Sequence, residues 1–437
     1  MGVRLAVILL LCGSCLWAQL GYTGPSILSR GSSQAGRRGA EALRFRFFGN
    51  VNGIYDSGLL AVGVNERGEP DTQASAGVQA LVGAYGYKAY KRSVVGLEYR
   101  GDYRHYQDAP FFNGSNQLLS LNVETQPQRR MTFVLRPTIG MLTRPLGGFV
   151  QLSGNMTDVG LPATELFDNR TAFAQIFAAA TWQKSARLSF TAGGQSFGLW
   201  RRSVALADVR GYGATGDIAY RLGKQSTIYS AYNFMDFKFP GGFGGAAVHQ
   251  MIGGYTRQVG RYWTFAMAGG AIRVEFQGLR RTDVDPVVRA LTGQTSTIEA
   301  FYRLNYLPYA QLSLTRNFRK SSVSAGYTRT VNPGNGLFLT SRLESLALNV
   351  THTASRRWHV GASAAYFKMG AVGPNLGRFE TISGGGGVTY RLNSLLHFTT
   401  RVDLRRAELQ ATRFQIDAMR LSAGIAFTPG EVPLSLW

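Results

Sequence analysis

The feature that most constrains the fold of this chain is a strict two-residue alternation between Ser93 and Tyr106. A period of two is the signature of a β-strand with two unlike faces. The apolar face carries Val95, Leu97, Tyr99 and Tyr103, and the charged face carries Glu98, Arg100, Asp102 and Arg104. Such a strand fits a soluble sandwich, or a transmembrane barrel whose apolar face meets lipid and whose charged face lines a wet lumen.

The same alternation returns in hairpin after hairpin, which favours the barrel. Short connections fall at 88–92, 126–130, 183–186, 222–226, 259–261, 317–320, 354–357 and 391–394. The connections between them are mostly longer and richer in Gly, Pro and Asp. Short turns on one side and long loops on the other are typical of outer-membrane barrels.

The count of alternating segments predicts an all-β fold, a transmembrane antiparallel up-and-down barrel of about 18 strands, with a range of roughly 16–20. The segments 143–169 and 277–296 could each hide or absorb one strand. Residues 419–427 alternate up to Phe427 and are predicted to be the closing strand, whereas the terminal Trp437 lacks apolar residues at matching parity.

Three tryptophans occupy the same topological position. Trp182, Trp263 and Trp358 each lie beside a short turn. Amphipathic rings favour the head-group level of a membrane, so we expect these side chains at one interface; buried core tryptophans are the alternative.

In architecture, residues 43–427 resemble the porin-like outer-membrane β-barrels, although no specific motif carries the resemblance. It implies a location in the outer membrane of a Gram-negative cell envelope. It also implies contact with outer-membrane lipid including lipopolysaccharide, and insertion by the barrel assembly machinery.

The amino terminus reads as an export signal. Arg4 precedes the apolar run Leu5–Leu11, and Ala18 before Gln19 gives a cleavage site, so residues 1–18 are predicted to be a cleaved signal peptide. Cys15 ends a lipobox-like sequence, which leaves lipidation as an alternative. Residues 19–42 are predicted to be a flexible basic periplasmic lead-in, residues 43–427 the barrel and residues 428–437 a tail.

The formal net charge is +22. In a cytosolic protein this value would suggest nucleic acid, but an exported chain rarely meets that partner. The basic excess instead fits anionic lipid head groups, an anionic polymer, or anions that pass through a pore.

Parity assigns a set of charged residues to the lumen, because an arginine facing lipid near the bilayer midplane costs about 2–4 kcal/mol. The predicted lumen charge ladder is Arg44, Arg46, Glu98, Arg100, Asp102, Arg104, Arg136, Arg303, Arg401, Asp403 and Arg405, and Asp217, Glu299 and His397 share its parity. Arginine outnumbers carboxylate, so this lumen is expected to attract anions. Alternatively, the charges pair across strands and fill a narrow, closed lumen.

Two segments depart from the regular hairpin pattern. By the porin resemblance, the long connection 144–169 could fold inward as a constriction loop, with Asp158, Glu165 and Asp168 opposite the basic wall; a simple exposed loop is the alternative. Arg342 and Glu344 share parity with lipid-facing residues. They are therefore expected above the membrane edge or after a β-bulge.

No motif indicates catalysis, a metal or a cofactor. The five histidines show no ligand spacing, and the run Gly384–Gly387 fits tight curvature or close contact better than a phosphate cradle. The expected function is an outer-membrane channel for passive transport of small hydrophilic solutes, anions among them. The alternative is a non-catalytic barrel in surface-polymer export, or a structural or binding partner of anionic glycan or lipid. A membrane-embedded hydrolase is a third class.

Overall fold

The computed structural model describes residues 46–64, 70–143, 149–151, 160–162, 170–203, 206–240, 244–283, 289, 295–334, 339–372, 378–409 and 414–428. Within these ranges the strands are β1 Arg46–Val64, β2 Pro70–Ala89, β3 Ser93–Tyr106, β4 Gly114–Gln128, β5 Met131–Thr143, β6 Phe149–Gln151, β7 Gly160–Pro162, β8 Arg170–Gln183, β9 Leu188–Arg201, β10 Val209–Arg221, β11 Ser226–Lys238, β12 Gly245–Val259, β13 Trp263–Asp283, β14 Ser296–Asn317, β15 Ser321–Asn332, β16 Ser341–Thr353, β17 Trp358–Ala371, β18 Arg378–Arg391, β19 Leu396–Leu409 and β20 Phe414–Phe427. A 3₁₀ turn at Pro110–Phe112 follows β3.

All strands except β6 and β7 form one closed sheet, which has 18 strands within the described ranges. Each strand pairs antiparallel with its chain neighbours, and β1 pairs with both β2 and β20. The predicted all-β up-and-down barrel is therefore confirmed. The predicted closing strand is also confirmed, because residues 420–427 of β20 pair with residues 49–56 of β1.

The connections follow the predicted asymmetry. Eight turns of two to four residues join β2 to β3, β4 to β5, and so on to β18 and β19, while the connections at the other end are mostly longer, the exception being the four residues between β19 and β20. The start of β1 and the end of β20 lie at the short-turn end.

The two segments that could hide or absorb a strand, 277–296 and 143–169, have different structures. In the segment 277–296, residues 277–283 belong to β13 and residue 296 begins β14, so this segment lengthens two strands. The connection 144–169 contains the small hairpin of β6 and β7, which pairs with no barrel strand. Neither segment adds a strand to the described barrel.

The outward face of the wall is apolar. Large side chains such as Phe47, Ile139, Met251 and Ile382 stand more than half exposed on it. Outward charged residues occur at two levels of the described strands. Lys88, Arg257 and Arg316 lie within the last three residues before a short turn. Every other outward Asp, Glu, Lys or Arg lies eight or more residues from the short-turn end. The outward positions between these two levels hold no Asp, Glu, Lys or Arg.

Aromatic side chains mark the short-turn end of this face. Trp182 stacks on Phe190 with ring centroids 5.7 Å apart, and Trp358 contacts Tyr390 at 4.7 Å. The Arg316 guanidinium lies 4.4 Å from the Trp263 ring. All three tryptophans thus lie beside short turns and share the outward parity, as the sequence predicts.

No helix among the described residues has the length and apolar character to cross a membrane.

Candidate functional site

Contacts between non-neighbouring strands identify the inner face of the barrel. Arg420 Nη2 on β20 donates to Gln79 Oε1 on β2 at 2.7 Å, across β1. Arg104 Nη2 on β3 donates to the Thr143 carbonyl at the end of β5 at 2.9 Å, across β4. Such contacts form only through the lumen, so Gln79, Arg104 and Arg420 define the inward parity of their strands.

The register places the described members of the predicted ladder on this inward parity. They are Glu98, Arg100, Asp102 and Arg104 on β3, Arg136 on β5, Arg303 on β14, and Arg401, Asp403 and Arg405 on β19. Arg46 opens β1, but its side chain lies outside the described part, as does all of Arg44. Asp158, Glu165 and Asp168 also lie outside the described residues.

One charged cluster lies in the upper lumen, toward the long loops. Asp102 accepts hydrogen bonds from Asn116 Nδ2 at 3.1 Å on both carboxylate oxygens. Its partner Arg104 is 3% exposed and lies 4.0 Å from Asp102. Desolvating a guanidinium to this extent requires nearby acceptors, which Asp102 and the Thr143 carbonyl supply.

A second cluster lies lower on the same wall. Arg100 and Arg136 both lie close enough to Glu98 to interact electrostatically with it. Arg136 Nε donates to Asn122 Oδ1 at 3.5 Å, which links β5 to β4. Two guanidinium groups therefore share one carboxylate at this level.

The third cluster lies over a floor of glycines. Arg401 Nε contacts both carboxylate oxygens of Asp403, at 2.7 and 2.6 Å, and Arg401 Nη2 donates to Ser363 Oγ at 3.4 Å. Between them on β18, Gly385 and Gly387 are the register partners of Asp403 and Arg401. A Cβ on Gly385 would collide with the Asp403 carboxylate. The glycine run is thus a site of close contact, and the missing side chains let Arg401 reach across β18 to β17.

Parity reasoning missed part of the charged wall. Arg420 stands on β20 between outward Met419 and Leu421, and Asp56 is buried on the inner face of β1. The alternation that predicted the closing strand already assigned Arg420 inward. Asp56 follows outward Tyr55, shares the inward parity of Asn50 and Asn52 and pairs in register with Ser75, so the same alternation assigns it inward.

The opposite side of the lumen is apolar. A single buried cluster runs along the inner faces of β8–β14 and includes Phe173, Phe197, Leu199, Val209, Met235, Phe237, Val248, Ile252, Ile272, Val274, Phe276 and Tyr309. Side chains packed this densely exclude water. The lumen is therefore two-sided: charged clusters lie on β19, β20 and β1–β5, and the apolar cluster lies on β8–β14, where Asp217 on β10 and Glu299 and Arg303 on β14 are inward charges outside that cluster.

The upper ends of β15–β17 fold over this apolar surface. The β14–β15 ladder stops at Ala310 and Arg329, two residues from Pro308, which has no N–H to continue it. Beyond that point Gln250 Nε2 on β12 donates to Thr330 Oγ1 on β15 at 3.3 Å. Three strand spacings amount to about 14 Å, more than two side chains standing perpendicular to a flat sheet can bridge. The wall must therefore curl inward at this point.

Two further contacts support the curl. Val331 has outward parity on β15 yet is 2% exposed and belongs to the same buried cluster as Ile272 and Tyr309. Asn305 Nδ2 on β14 donates to the Val372 carbonyl after β17, at 3.3 Å. We call residues 330–332, 339–343 and 369–372 the folded-in rim, which narrows the mouth on the apolar side.

Arg342 and Glu344 have outward parity; Glu344 lies below the folded-in rim, whereas Arg342 belongs to the rim and is the register partner of the buried Val331. Their strand pairs with both neighbours without a register shift, so no bulge reorients them. Both form part of the charged residues that begin above the apolar band, which leaves the first of the two predicted explanations.

Histidine positions give no metal centre. Among the residues that the structure describes, no three His, Cys, Asp or Glu side chains come together in a way that could hold an ion.

An apolar exterior and a partly charged interior define the class of this fold: a transmembrane-type β-barrel. No protein-family model and no curated protein matches the sequence. Among solved structures, the chain is similar to Pseudomonas aeruginosa OccK2 (OpdF) in complex with glucuronate, with 11% identity, a TM-score of 0.42, and 88% of this chain and 98% of that chain covered. It is also similar to P. aeruginosa OpdL (10% identity, TM-score 0.41, 87% and 98% covered) and OccK5 (OpdH) (12%, 0.40, 88% and 98%). At these TM-scores the similarity supports no statement about function, and the fold described above rests on the hydrogen-bonded strand pairs of the chain itself.

Proposed function

We propose that this chain is an outer-membrane channel through which small hydrophilic solutes diffuse passively, with a modest preference for anions. The observation that carries the proposal is the distribution of charge: the described strands keep Asp, Glu, Lys and Arg off the outward band and place them in the lumen or beyond the two edges of the band. A soluble sandwich would show the reverse arrangement.

The height of the outward band suits a bilayer. On β17, ten residues separate Trp358 near the short turn from the first outward charge, Lys368. At about 3.3 Å per residue and a tilt of about 40°, this stretch rises about 25 Å, the height of the apolar band in outer-membrane barrels.

The proposed route follows the charged side of the lumen. Among the described side chains of β1–β5, β19 and β20, six arginines and five carboxylates have inward parity: Arg100, Arg104, Arg136, Arg401, Arg405 and Arg420 against Asp56, Glu98, Asp102, Glu124 and Asp403. An excess this small supports a modest preference for anions and argues against a strong one.

Reversal potentials across planar bilayers in a salt gradient test this proposal. Asp403→Asn removes an inward carboxylate and should raise the anion-to-cation permeability ratio. Glu408→Gln, on the same strand but facing outward, is the matched control and should leave the ratio unchanged. A strongly cation-selective wild-type channel would contradict the proposal.

The second candidate is a closed, non-catalytic barrel that serves in surface-polymer export or binds anionic glycan or lipid. The apolar cluster and the folded-in rim favour it, because both reduce the open cross-section. Liposome swelling with uncharged sugars separates the two, since a closed barrel gives no permeability.

The proposed location carries further expectations. Export would remove residues 1–18, the barrel assembly machinery would insert residues 43–427, and outer-membrane lipid would surround them. Amino-terminal sequencing of the protein from outer-membrane fractions tests the cleavage site, and a start other than Gln19 would contradict it.

A further inference from the structure

Every short turn of the barrel carries basic residues. Thirteen Lys and Arg residues, and no Asp or Glu, lie in the eight segments 88–92, 126–130, 183–186, 222–226, 259–261, 317–320, 354–357 and 391–394. Each segment contributes at least one of them, and all thirteen except Arg391 are exposed. We call these thirteen residues the basic ring. They amount to more than half of the formal net charge of +22.

No carboxylate neutralises the basic ring within the part of the chain that the structure describes. None of the thirteen side chains forms a salt bridge there, and the carboxylate nearest in sequence is Glu124, two residues before the segment 126–130. Arg92 Nη1 instead donates to the Pro127 carbonyl at 2.9 Å, and Arg391 Nε donates to the Asn393 carbonyl at 3.1 Å. Such bonds hold a guanidinium in place and leave its charge uncancelled.

Charges farther from the short turns are of both signs. Lys368 Nζ lies 2.8 Å from Glu380 Oε1 on the outer face, and Arg401 contacts Asp403 on the inner face. On the charged side of the lumen, the arginines exceed the carboxylates by only one. The basic ring therefore differs from the rest of the described wall in carrying a single sign of charge.

The basic ring follows the circumference of the mouth. Each segment joins two neighbouring strands, so positive charge recurs at every hairpin from β2 round to β19. A surface that docks a partner on one side of the barrel needs charge on that side only. Charge on every hairpin acts instead on whatever passes along the axis of the mouth.

The size of this effect follows from the dimensions of the barrel. Eighteen strands about 4.8 Å apart and tilted by about 40° make a wall with a radius of about 18 Å. At 0.1 M salt, screened over about 10 Å, thirteen charges at this distance enrich a monovalent anion on the axis about twofold and deplete a monovalent cation about twofold. The mouth then favours anions about fivefold. At 1 M salt, screening over about 3 Å removes the effect.

We propose that the basic ring is the selectivity element of the channel, because it collects small anions at the short-turn mouth, which faces the periplasm in the proposed location. The inference rests on the proposed function and gives the anion preference an origin at one mouth. At low salt the charged clusters of the lumen contribute the smaller part. The preference therefore rises on dilution, which a preference set by close contacts inside the lumen would not do.

Reversal potentials in KCl gradients, measured around 0.1 M and around 1 M, test this origin. Bilayers of zwitterionic lipid keep the charge of the membrane surface out of the measurement. The ring variant removes six of the thirteen charges through exposed side chains: Lys91→Gln, Arg129→Gln, Lys184→Gln, Lys224→Gln, Arg319→Gln and Arg356→Gln.

The matched control makes the same change of net charge at the opposite end of the barrel. It combines Arg210→Glu, Lys238→Glu and Arg378→Glu, three exposed residues of outward parity near the long loops. Both variants therefore differ from the wild type by six units of charge, and the end of the barrel at which the charge changes is the main difference between them.

The anion-to-cation permeability ratio of the wild type should be about fivefold higher at 0.1 M than at 1 M. The ring variant should reduce the ratio at 0.1 M by about half and leave the ratio at 1 M unchanged, because screening already removes the effect there. The control should behave as the wild type does. A ratio that does not change with salt, an unchanged ratio in the ring variant at 0.1 M, or an equal loss in the control would overturn the selectivity role.

A separate measurement distinguishes failure of the channel from failure of the basic ring. A wild type without conductance contradicts the proposed function. The trianionic dye pyranine is then added to the same barrels in zwitterionic nanodiscs at 10 mM salt, and its binding is measured by fluorescence anisotropy. Dye binding that the ring variant loses and the control keeps supports anion collection by the ring, whereas equal binding by all three proteins overturns it.

Discussion

Inserting one arginine at each of two adjacent positions of β16 tests the two-faced wall directly. Leu348 faces outward, and Asn349 faces the lumen between its register partners Ser324 and Ser363. Leu348 lies five residues from Thr353 at the short-turn end. This distance is about 17 Å along the strand and about 13 Å along the membrane normal, half of an apolar band of about 25 Å.

Leu348→Arg therefore places a charge near the bilayer midplane and should lower the free energy of unfolding by about 2–4 kcal/mol. Asn349→Arg adds the same side chain to a polar, inward position and should cost less than about 1 kcal/mol, because the lumen wall there is lined with serine hydroxyls. The two positions are adjacent and the inserted residue is the same, so the face of the wall is the main difference between the variants.

Urea unfolding in lipid vesicles, followed by tryptophan fluorescence, measures both values, and the folded fraction on cold electrophoresis shows whether each variant inserts. If Asn349→Arg destabilised the barrel as much as Leu348→Arg, or more, the assignment of faces would be wrong. That result would also remove the main support for a membrane-spanning wall.

Three further variants test individual contacts. Gly385→Ala should displace the Asp403 carboxylate from the glycine floor and shift ion selectivity in bilayer recordings; unchanged selectivity would show that the close contact has no part in conduction. Val331→Asp puts a charge into the buried cluster under the folded-in rim, which should release the rim and raise single-channel conductance, whereas lower conductance would contradict a constricting role. Trp182→Ala removes the stacking on Phe190 at the short-turn end and should lower stability in vesicles by about 1 kcal/mol or more, measured by urea unfolding; no loss would speak against an interfacial ring.

The wall was predictable from sequence because each of its determinants is local. A period of two assigns faces without any knowledge of neighbouring strands, and a two- to four-residue turn can join only adjacent antiparallel strands. The stretch 93–106 and the closing strand at 419–427 illustrate this, since both lie where alternation alone places them. Arg342 and Glu344 were equally informative, because their apparent violation of parity marked the upper edge of the band.

The interior was less predictable because it depends on contacts between distant strands. Alternation assigns Val331 outward, and only the packing of β15 against β12–β14 explains its burial. Similarly, four consecutive glycines indicate close contact, but only the register of β18 with β19 shows that Arg401 and Asp403 occupy the space. On β8–β14, alternation assigns many apolar residues inward, but only the three-dimensional packing shows that they form one contiguous buried cluster.

The pairing of β1 with β20 ties the ends of the chain together. The Met419 amide donates to Ser57 Oγ at 3.0 Å, a bond between residues 362 positions apart, and eight residue pairs complete this ladder. Loop-closure entropy opposes such a contact until nearly the whole wall exists, so the edges of β1 and β19 stay open during most of assembly. A chain that ended before Phe414 would keep both edges permanently, and unpaired edges recruit other strands. Retention of the last strand therefore decides between a single closed molecule and an aggregate.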